Sequence, residues 1–411
     1  MLEKILHRNN LNEAYRRVVR NKGSHGVDHI PTSELKSQIS ESWNEIEAQL
    51  LDGTYQPSPV RRVEIPKPNG GKRKLGIPTA MDRFIQQAIN LYLQRIYDPS
   101  FSNSSYGFRP GKRAHDAVRK AQEYVNDGYR WVVDIDLEKF FDRVHHDRLM
   151  RTLSCRVKDG RILRIIRRYL QAGVMENGLT QTNQAGTPQG SPLSPLLSNI
   201  VLNELDKELE SRGIRFVRYA DDCQIYVGSR RAAERILRNI SQFIKKKLKL
   251  KVNKEKSAID RPWKRTFLGF SFTLHRDSKI RVAKQSIQRA KQELRRLTSR
   301  KWSLAMSDRI KKLNKFIVGW RNYFQLAETT STFRELMAWL RRRLRMIRWK
   351  EWKTPKTRRK ELLSLGVTKA KAFEWSNTRK GYWRIASSPI LHRTFNDKYW
   401  RQLGLKSLEA R

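Results

Sequence analysis

Cysteine and acidic residues are scarce in this chain of 411 residues, and long apolar runs are missing. The two cysteines, Cys155 and Cys223, are too few and too far apart for a zinc site or a disulfide framework, and their scarcity fits a reducing compartment. No run approaches the roughly 18 apolar residues of a membrane-spanning helix, and the N-terminus has no apolar signal core. These absences favour a cytoplasmic protein with no membrane partner.

Basic residues are in large excess, with 86 Lys and Arg against 40 Asp and Glu and a net charge of +46. Residues 261–411 carry 40 basic and 10 acidic residues, and also nine of the 11 tryptophans. Cations mixed with large aromatic rings suit phosphate contact and base stacking. Because 38% of the chain is hydrophobic, it can still bury a core. We therefore expect a folded protein with a polyanionic partner.

The apolar spacing predicts an α+β protein. Alternation and Gly/Pro signals predict a β-hairpin over residues 57–78 with its tip at residues 68–71, a strand over residues 131–136 and a strand pair over residues 216–227. Helical periodicity covers most of the remainder of the first 260 residues, and three amphipathic helices follow from about residue 281. The helices are predicted at residues 1–22, 33–51, 80–97, 113–126 and 159–171, and from Ser194 as N-cap with Pro195 at the first helical position.

Acidic residues stand at two of these strand ends. Asp221 and Asp222 lie at the turn of the strand pair, and Asp134 and Asp136 end the apolar strand before them. Adjacent carboxylates repel each other unless a cation lies between them, and hard oxygen ligands suit Mg²⁺. Two such ions about 3.5–4 Å apart can hold a 3′-hydroxyl and a triphosphate for in-line displacement.

These residues resemble the palm of reverse transcriptases. The block Tyr219-Ala-Asp-Asp222, with Asp136 upstream, matches two central polymerase motifs. The resemblance implies that Asp136, Asp221 and Asp222 are catalytic metal ligands for two Mg²⁺ ions, with Mn²⁺ as a possible substitute. It favours Asp136 over Asp134 because the fifth residue after Asp136 is Phe141, whose ring would exclude a ribose 2′-hydroxyl and so select deoxynucleotides.

Further blocks resemble the same family in the same order. In the fingers hairpin, Lys67, Lys72 or Arg73 would hold the triphosphate, and the spacing does not decide which two do so. Gln189 and Gly190 lie in a loop that resembles the one beneath the nascent base pair. A later lysine, Lys256 in preference to Lys254, would protonate the departing pyrophosphate.

Two segments resemble group II intron-encoded reverse transcriptases with maturase function, in a compact bacterial form without the endonuclease domain. Residues 23–29 are similar to the family's N-terminal extension, and residues 313–343 are similar to its maturase-specific thumb. The resemblance implies a right-hand polymerase whose fingers and palm contain an antiparallel sheet, followed by an α-helical thumb/maturase bundle. The implied domains are residues 1–60 (N-terminal extension), 61–275 (fingers and palm), 276–355 (thumb/maturase) and 356–411 (basic DNA-binding region).

The implied activity is RNA-directed DNA synthesis together with binding of group II intron RNA to assist splicing and retrohoming. The implied partners are the intron RNA, an RNA template with a DNA primer, target DNA and dNTPs, in the bacterial cytoplasm near the nucleoid. The sequence leaves the oligomeric state open. The cations expected to contact nucleic acid are Arg341, Arg342, Arg343, Arg345, Arg358 and Arg359.

Two other functions remain open. The chain could be a domesticated relative that acts in DNA repair or phage defence. It could also be a non-catalytic, RNA-binding splicing cofactor, although the three retained acids argue against a dead polymerase site.

Overall fold

The computed structural model describes residues 1–66, 70–176, 179–181, 186 and 190–409. The chain divides into two compact units, an N-terminal unit (Met1–Arg261) and a C-terminal unit (Pro262–Arg411). Both contain helices and strands, which confirms the predicted α+β class. In the part of the chain that is described, no helix is both long and apolar enough to cross a membrane.

The core of the N-terminal unit is built mainly from helices. Its α-helices are α1 (Leu2–Ile5), α2 (Arg8–Arg20), α3 (Leu35–Asp52), α4 (Ala80–Tyr97), α5 (Ala114–Asn126), α6 (Phe140–Arg143), α7 (His146–Ser154), α8 (Gly160–Gln171), α9 (Ser194–Ser211) and α10 (Arg230–Phe243). Helix α4 is buried over most of its surface. Its N-cap is Thr79, whose side-chain oxygen accepts a hydrogen bond from the Asp82 amide.

Two sheets complete this unit. Its strands are β1 (Val60–Pro66), β2 (Lys72–Ile77), β3 (Trp131–Ile135), β4 (Val174–Glu176), β5 (Leu179–Gln181), β6 (Arg215–Tyr219), β7 (Asp222–Val227) and β8 (Ala258–Asp260). Within the described residues, the hairpin sheet has the strand order β2-β1-β4-β5 and the acid sheet has the order β6-β7-β3-β8. The acid sheet is antiparallel throughout, which agrees with the predicted palm.

The C-terminal unit is mostly helical and contains a short strand pair. Its elements are β9 (Phe270–Phe272), β10 (Ile280–Val282), α11 (Lys284–Leu297), α12 (Met306–Phe324), α13 (Ser331–Glu351), α14 (Pro355–Ser364), α15 (Lys369–Ser376), α16 (Tyr382–Ile385), α17 (Pro389–Thr394) and α18 (Asp397–Gln402). Helices α11, α12 and α13 are the three predicted amphipathic helices, and their apolar sides are buried.

Two local predictions were wrong. The expected helix over residues 1–22 is broken between α1 and α2, where His7 caps the second helix and its Nδ1 accepts from the Asn9 amide. Ser194 is not an N-cap, because it is the first residue of α9 and is itself buried. Its hydroxyl lies 2.9 Å from the hydroxyl of Ser191. In both cases a local hydrogen bond decides the helix start, and apolar spacing does not report such a bond.

Candidate active site

The pairing of β3 with β7 brings the two predicted acidic clusters together. The residues Ile135 and Cys223 face each other in this antiparallel register. Asp136 follows the last residue of β3, and by the same register it lies opposite Asp222, the first residue of β7. In the β6–β7 hairpin, Asp222 pairs back with β6, so Asp221 lies in the connecting turn.

The charges of these acids act on one another. Burial, and then the negative charges of Asp221, Asp134 and Asp136, raise the pKa of Asp222 to about 7. The pKa of Asp221 is also raised, first by burial and then by Asp136, while Arg73 opposes this change. Asp222 nevertheless keeps solvent contact, and Asp136 and Asp221 are half-buried. The site therefore concentrates negative charge at an accessible edge of the acid sheet.

This arrangement fits divalent ions that are only partly held by protein. Carboxylate oxygens are the ligands that Mg²⁺ prefers, and Mg²⁺ usually takes one or two carboxylates together with water and substrate phosphates. Among the described residues, no group of three or more His, Cys, Asp or Glu side chains is placed to hold a metal ion by itself, so substrate phosphates and water would have to complete the coordination. The raised pKa of Asp222 supports a cation at this place, because a cation would offset the repulsion that disfavours its charged form.

The backbone of Asp136 is fixed by a later segment. Its amide donates to the Ser257 hydroxyl at 3.0 Å, and its carbonyl accepts from the Asn253 amide at 2.8 Å. The same segment carries Lys256, whose Nζ lies 3.9 Å from Oδ2 of Asp136. Of the two lysines considered from the sequence, Lys256 thus lies beside an active-site carboxylate. Lys254 is exposed on the same turn.

The backbone of Phe141 lies close to Gly186, which the sequence places at the start of the block beneath the nascent base pair. Gly186 has a φ of +95°, and a Cβ there would lie 2.8 Å from the Phe141 carbonyl oxygen. His146 adds a contact of 2.6 Å from its Nε2 to the Gly186 carbonyl oxygen. The Phe141 ring is half-buried and packs edge-on to Phe140. Glycine is therefore required at residue 186 for this close approach to the Phe141 backbone.

In the hairpin of β1 and β2, the two predicted triphosphate contacts that are described, Lys72 and Arg73, lie in different surroundings. Lys72 forms an ion pair with Glu64 of the neighbouring strand at 2.6 Å. The next residue, Arg73, projects to the other face of β2 because side chains alternate along a strand, and its charge is felt by Asp221. Gly190 packs on this hairpin, since a Cβ there would lie 2.8 Å from the Gly76 carbonyl oxygen. The predicted residues Lys67 and Gln189 lie outside the described residues.

A buried polar network that was not predicted from the sequence lies beneath the acidic turn. The Arg218 guanidinium is fully buried and contacts both carboxylate oxygens of Asp206 at 2.7 and 2.6 Å. It also donates to the Asn199 side chain at 3.0 Å, to the Ser105 hydroxyl at 2.7 Å and to the Ala220 carbonyl at 2.8 Å. Asp206 interrupts an otherwise apolar face of α9, and that interruption was the available signal.

Two contacts fix the backbone of the acidic turn: the Arg218 network reaches the Ala220 carbonyl, and Gly107 lies against the Ala220 amide. Ala220 has a φ of +58°, a conformation that L residues rarely adopt. A Cβ at Gly107 would lie 2.3 Å from the Ala220 amide nitrogen, so only glycine allows this approach. The Asn199 amide fixes Gly107 by donating to its carbonyl at 2.8 Å. Together these contacts impose the turn geometry that presents Asp221.

The two cysteines differ in their surroundings. Cys223 follows the acidic pair and is a fully buried core residue, and burial raises the pKa of its thiol. Cys155 is exposed and free.

The six arginines predicted to contact nucleic acid lie in the C-terminal unit in different environments. Arg345 is buried, and its Nε donates to the Ala386 carbonyl at 2.8 Å. This position makes it a packing residue, and we do not retain it as a nucleic-acid contact. Arg341 forms an ion pair with Asp397 at 2.8 Å. Arg342 and Arg343 lie beside tryptophan rings at 4.0 and 5.3 Å.

The last two predicted arginines belong to α14. Arg358 donates to the Trp352 carbonyl at 2.9 Å and is half-buried. Arg359 is exposed beside the Phe373 ring, at 5.9 Å. Of this pair, Arg359 is the more accessible to an anionic partner.

Comparisons with known proteins agree with this geometry. Residues 65–272 match the family model described as "Reverse transcriptase (RNA-dependent DNA polymerase)". Residues 287–366 match "Group II intron, maturase-specific domain". "Protein YkfC" of Escherichia coli (strain K12) is 34% identical over 289 residues, which are 61% of this chain and 76% of that protein.

Intron-encoded proteins also match. "Group II intron-encoded protein LtrA" of Lactococcus lactis subsp. cremoris is 31% identical over 334 residues, which span 65% of this chain and 55% of LtrA. "Putative COX1/OXI3 intron 2 protein" of Saccharomyces cerevisiae is 30% identical over 306 residues, which span 60% of this chain and 35% of that protein. The chain thus spans about half of LtrA.

The first prediction concerns Asp222 in the metal-free protein. Its folded-state pKa of about 7 lies above the ordinary value of 3.8, so the folded protein binds more protons than the unfolded chain between these pH values, and stability falls as pH rises through this window. Asp222→Asn should therefore raise the Tm at pH 8 by about 2–4 °C, which corresponds to about 1 kcal/mol after allowance for solvent screening. At pH 5, in the lower part of this window, the difference in Tm should be less than half of that at pH 8, and it should vanish below pH 3.8. Thermal unfolding in the presence of a metal chelator measures the Tm of the variant and of the wild type at each pH. Equal Tm values for the two proteins at pH 8 would contradict the electrostatic explanation.

The second prediction concerns Arg218 as a positioning residue. Arg218→Met leaves the Asp206 carboxylate buried without its partner, which costs about 3–5 kcal/mol. Replacing both residues, Arg218→Met with Asp206→Leu, should restore most of the Tm because a buried ion pair can be exchanged for apolar packing. The double variant should still extend a primer at least about ten-fold more slowly, through kcat and not through KM, because the Ala220 carbonyl has lost its donor.

A matched control is Arg215→Met, which removes an exposed arginine from the same strand. It should change neither the Tm nor the kcat of primer extension. Full recovery of kcat in the double variant would mean that the network serves stability alone.

Proposed function

The chain belongs to the reverse transcriptase family and carries a group II intron maturase-specific domain within its C-terminal unit, and we propose that it copies RNA into DNA and binds group II intron RNA to assist splicing and mobility. One observation carries the first part. Asp136 at the end of β3 and the Asp221–Asp222 turn share one electrostatic environment, inside the segment that matches the polymerase family.

The three acids are the proposed metal ligands, and Mg²⁺ is the proposed ion. Bound divalent ions would lower the pKa of a primer 3′-hydroxyl and neutralise the charge of the triphosphate. The contribution of the chain itself is positional. Strand pairing fixes Asp136 against β7, and the Arg218 network fixes the turn that bears Asp221. Preorganised charge of this kind needs no rearrangement during the reaction.

Two cations are placed to act on the phosphates of a dNTP. Arg73 lies close enough to Asp221 to lower its pKa, so it would reach a triphosphate held at the same acids. Lys256 lies beside Asp136 and would hold or protonate the departing pyrophosphate. Lys72 is engaged by Glu64, so we propose it as a secondary contact that must first exchange its partner.

Phe141 is the proposed selector of the sugar. Its ring is half-buried and packs edge-on against Phe140, and Phe141 follows Asp136 by five residues. A ring held in this way would clash with a 2′-hydroxyl and leave a deoxyribose in place. Deoxynucleotides are therefore the proposed substrates.

The C-terminal unit is the proposed binding surface for intron RNA. It carries the match to the maturase-specific domain and most of the excess positive charge, with 39 basic against 10 acidic residues over positions 262–411. Release of counterions from RNA would make this binding strong and dependent on salt. The RNA template, the DNA primer and target DNA are the other proposed partners.

Substitution of the acids tests the polymerase activity. Asp136→Asn, and Asp221→Asn with Asp222→Asn, should each reduce primer extension on an RNA template with Mg²⁺ and dNTPs by at least about 1,000-fold, since each removes charge that the metal ions need. Binding of intron RNA should stay within about three-fold of wild type. Asp134→Asn is the matched control, because it removes a neighbouring acid that is not a proposed ligand, and it should retain most activity. Equal loss in the control, or extension by the Asp136 variant, would reject the assignment.

Substitution of Phe141 tests sugar selection. Phe141→Val should raise the ratio of ribonucleotide to deoxynucleotide incorporation by at least about 100-fold, which is a change of about 2.7 kcal/mol in discrimination. Phe141→Tyr keeps the ring and should keep the discrimination. Single-nucleotide kcat/KM values for dCTP and CTP measure the ratio, and an unchanged ratio in the valine variant would mean that the ring only packs.

A further inference from the structure

The C-terminal unit contains a cleft whose chemistry is not explained by folding. Its cavity of about 450 Å³ is lined by cations and two indole rings. The cleft residues used below are Arg295, Arg300, Lys301, Arg343, Trp339 and Trp383. They come from α11, the loop after it, α13 and α16. We call this site the basic–aromatic cleft.

The cations of the cleft lie close together without an acid among the described residues that line it. Arg343 is half-buried, and its guanidinium donates to the Thr298 hydroxyl and carbonyl, at 2.5 and 3.1 Å. Burial lowers the pKa of Arg343, and the charges of Arg295 and Arg300 lower it further. Like charges held this close are unfavourable unless an anion joins them, so the cleft is complementary to a phosphate-bearing ligand.

The rings of the cleft add a stacking surface. Arg342 covers the Trp383 ring at 4.0 Å and donates to the Trp383 carbonyl at 3.1 Å. The Trp383 residue is still 39% exposed and lines the cavity, so a second planar group can lie against it. Trp339 has Arg295 and Arg343 beside it, at 5.5 and 5.3 Å, and its ring keeps those two cations in place.

We propose that the basic–aromatic cleft binds an unpaired nucleotide of a nucleic-acid strand, with its base on Trp383 and the neighbouring phosphates on Arg295, Arg300 and Lys301. This inference rests on the proposed function for its ligand and names one subsite of the RNA-binding surface. A cavity of about 450 Å³ accepts a single nucleotide and is too small for a duplex. The base must therefore be unstacked from its neighbours, as in a loop, a bulge or a free end.

Two kinds of strand share this chemistry, so both serve as probes. A 12-nucleotide RNA and a DNA of the same sequence, each labelled at one end, are titrated into the full-length protein. A third probe is a 12-unit abasic strand, which has the phosphates without the bases. Trp383→Ala should raise the Kd for the base-bearing RNA about ten-fold, or about 1.4 kcal/mol, within the range for stacking on an aromatic ring. It should leave the Kd of the abasic strand unchanged, and Trp383→Phe should retain most affinity. A larger effect with RNA than with DNA would assign the subsite to RNA.

The phosphate contacts have their own test. Arg300→Gln with Lys301→Gln should weaken RNA and the abasic strand alike, and should reduce the slope of log Kd against log salt by about 1.4, since each single-strand phosphate contact contributes about 0.7. The matched control is Lys245→Gln with Lys246→Gln, which removes two exposed lysines from the N-terminal unit. It should leave the slope within about 0.3 of wild type.

The location is tested by photocrosslinking. A 5-iodouridine placed in the middle of the RNA should crosslink to Trp383, as identified by peptide mapping. Crosslinks confined to other residues would overturn the cleft assignment, and so would a Trp383→Ala variant that binds RNA as tightly as wild type. In either case the proposed function would still stand if the wild-type protein extends a primer. If the wild type neither binds RNA nor copies it, the proposed function itself fails. Equal binding of polyglutamate and RNA to the wild type would show that bases are not recognised.

Discussion

Mutual repulsion of the three carboxyls proposed as metal ligands is the constraint on which the N-terminal unit is built. Asp136, Asp221 and Asp222 are forced together by strand pairing although each disfavours the charge of another. Such an arrangement persists only when the surrounding structure over-determines it. The pairing of β3 with both β7 and β8 fixes one acid, and the buried ion pair of Arg218 with Asp206 fixes the turn that carries the other two.

Close backbone approach is the second means by which the site is held. Gly107 contacts the acidic turn, Gly186 contacts the backbone of Phe141, and Gly190 contacts the fingers hairpin at Gly76. Each of these approaches leaves no room for a Cβ. The loops that would surround a nucleotide are therefore positioned by backbone on backbone, which is more rigid than contact through flexible side chains. The same rigidity explains why a turn with a strained Ala220 is kept.

Part of this organisation could be predicted from the sequence. Helix α4 begins at Ala80 and ends at Tyr97, as its spacing indicated, because one long apolar stripe repeats without interruption. The acidic turn and Asp136 were identified from short motifs whose chemistry needs adjacent carboxylates. The Arg218 network could not be derived in this way, because its members lie in a loop (Ser105), a helix (Asn199 and Asp206) and a strand (Arg218) that meet only after folding. Arg345 was predicted to contact nucleic acid but is buried. The neighbouring sequence is a run of arginines, and it does not indicate which of them faces the core.

The contrast between the two thiols has a practical consequence for spectroscopy. Cys155 is exposed, whereas Cys223 is buried beside the acids with a thiol that resists ionisation, and only the thiolate reacts with maleimides. The native sequence therefore offers one attachment point for a fluorophore without any cysteine removal. That point lies at the end of α7, so a dye placed there can report distances to a labelled primer while the catalytic strands stay unmodified.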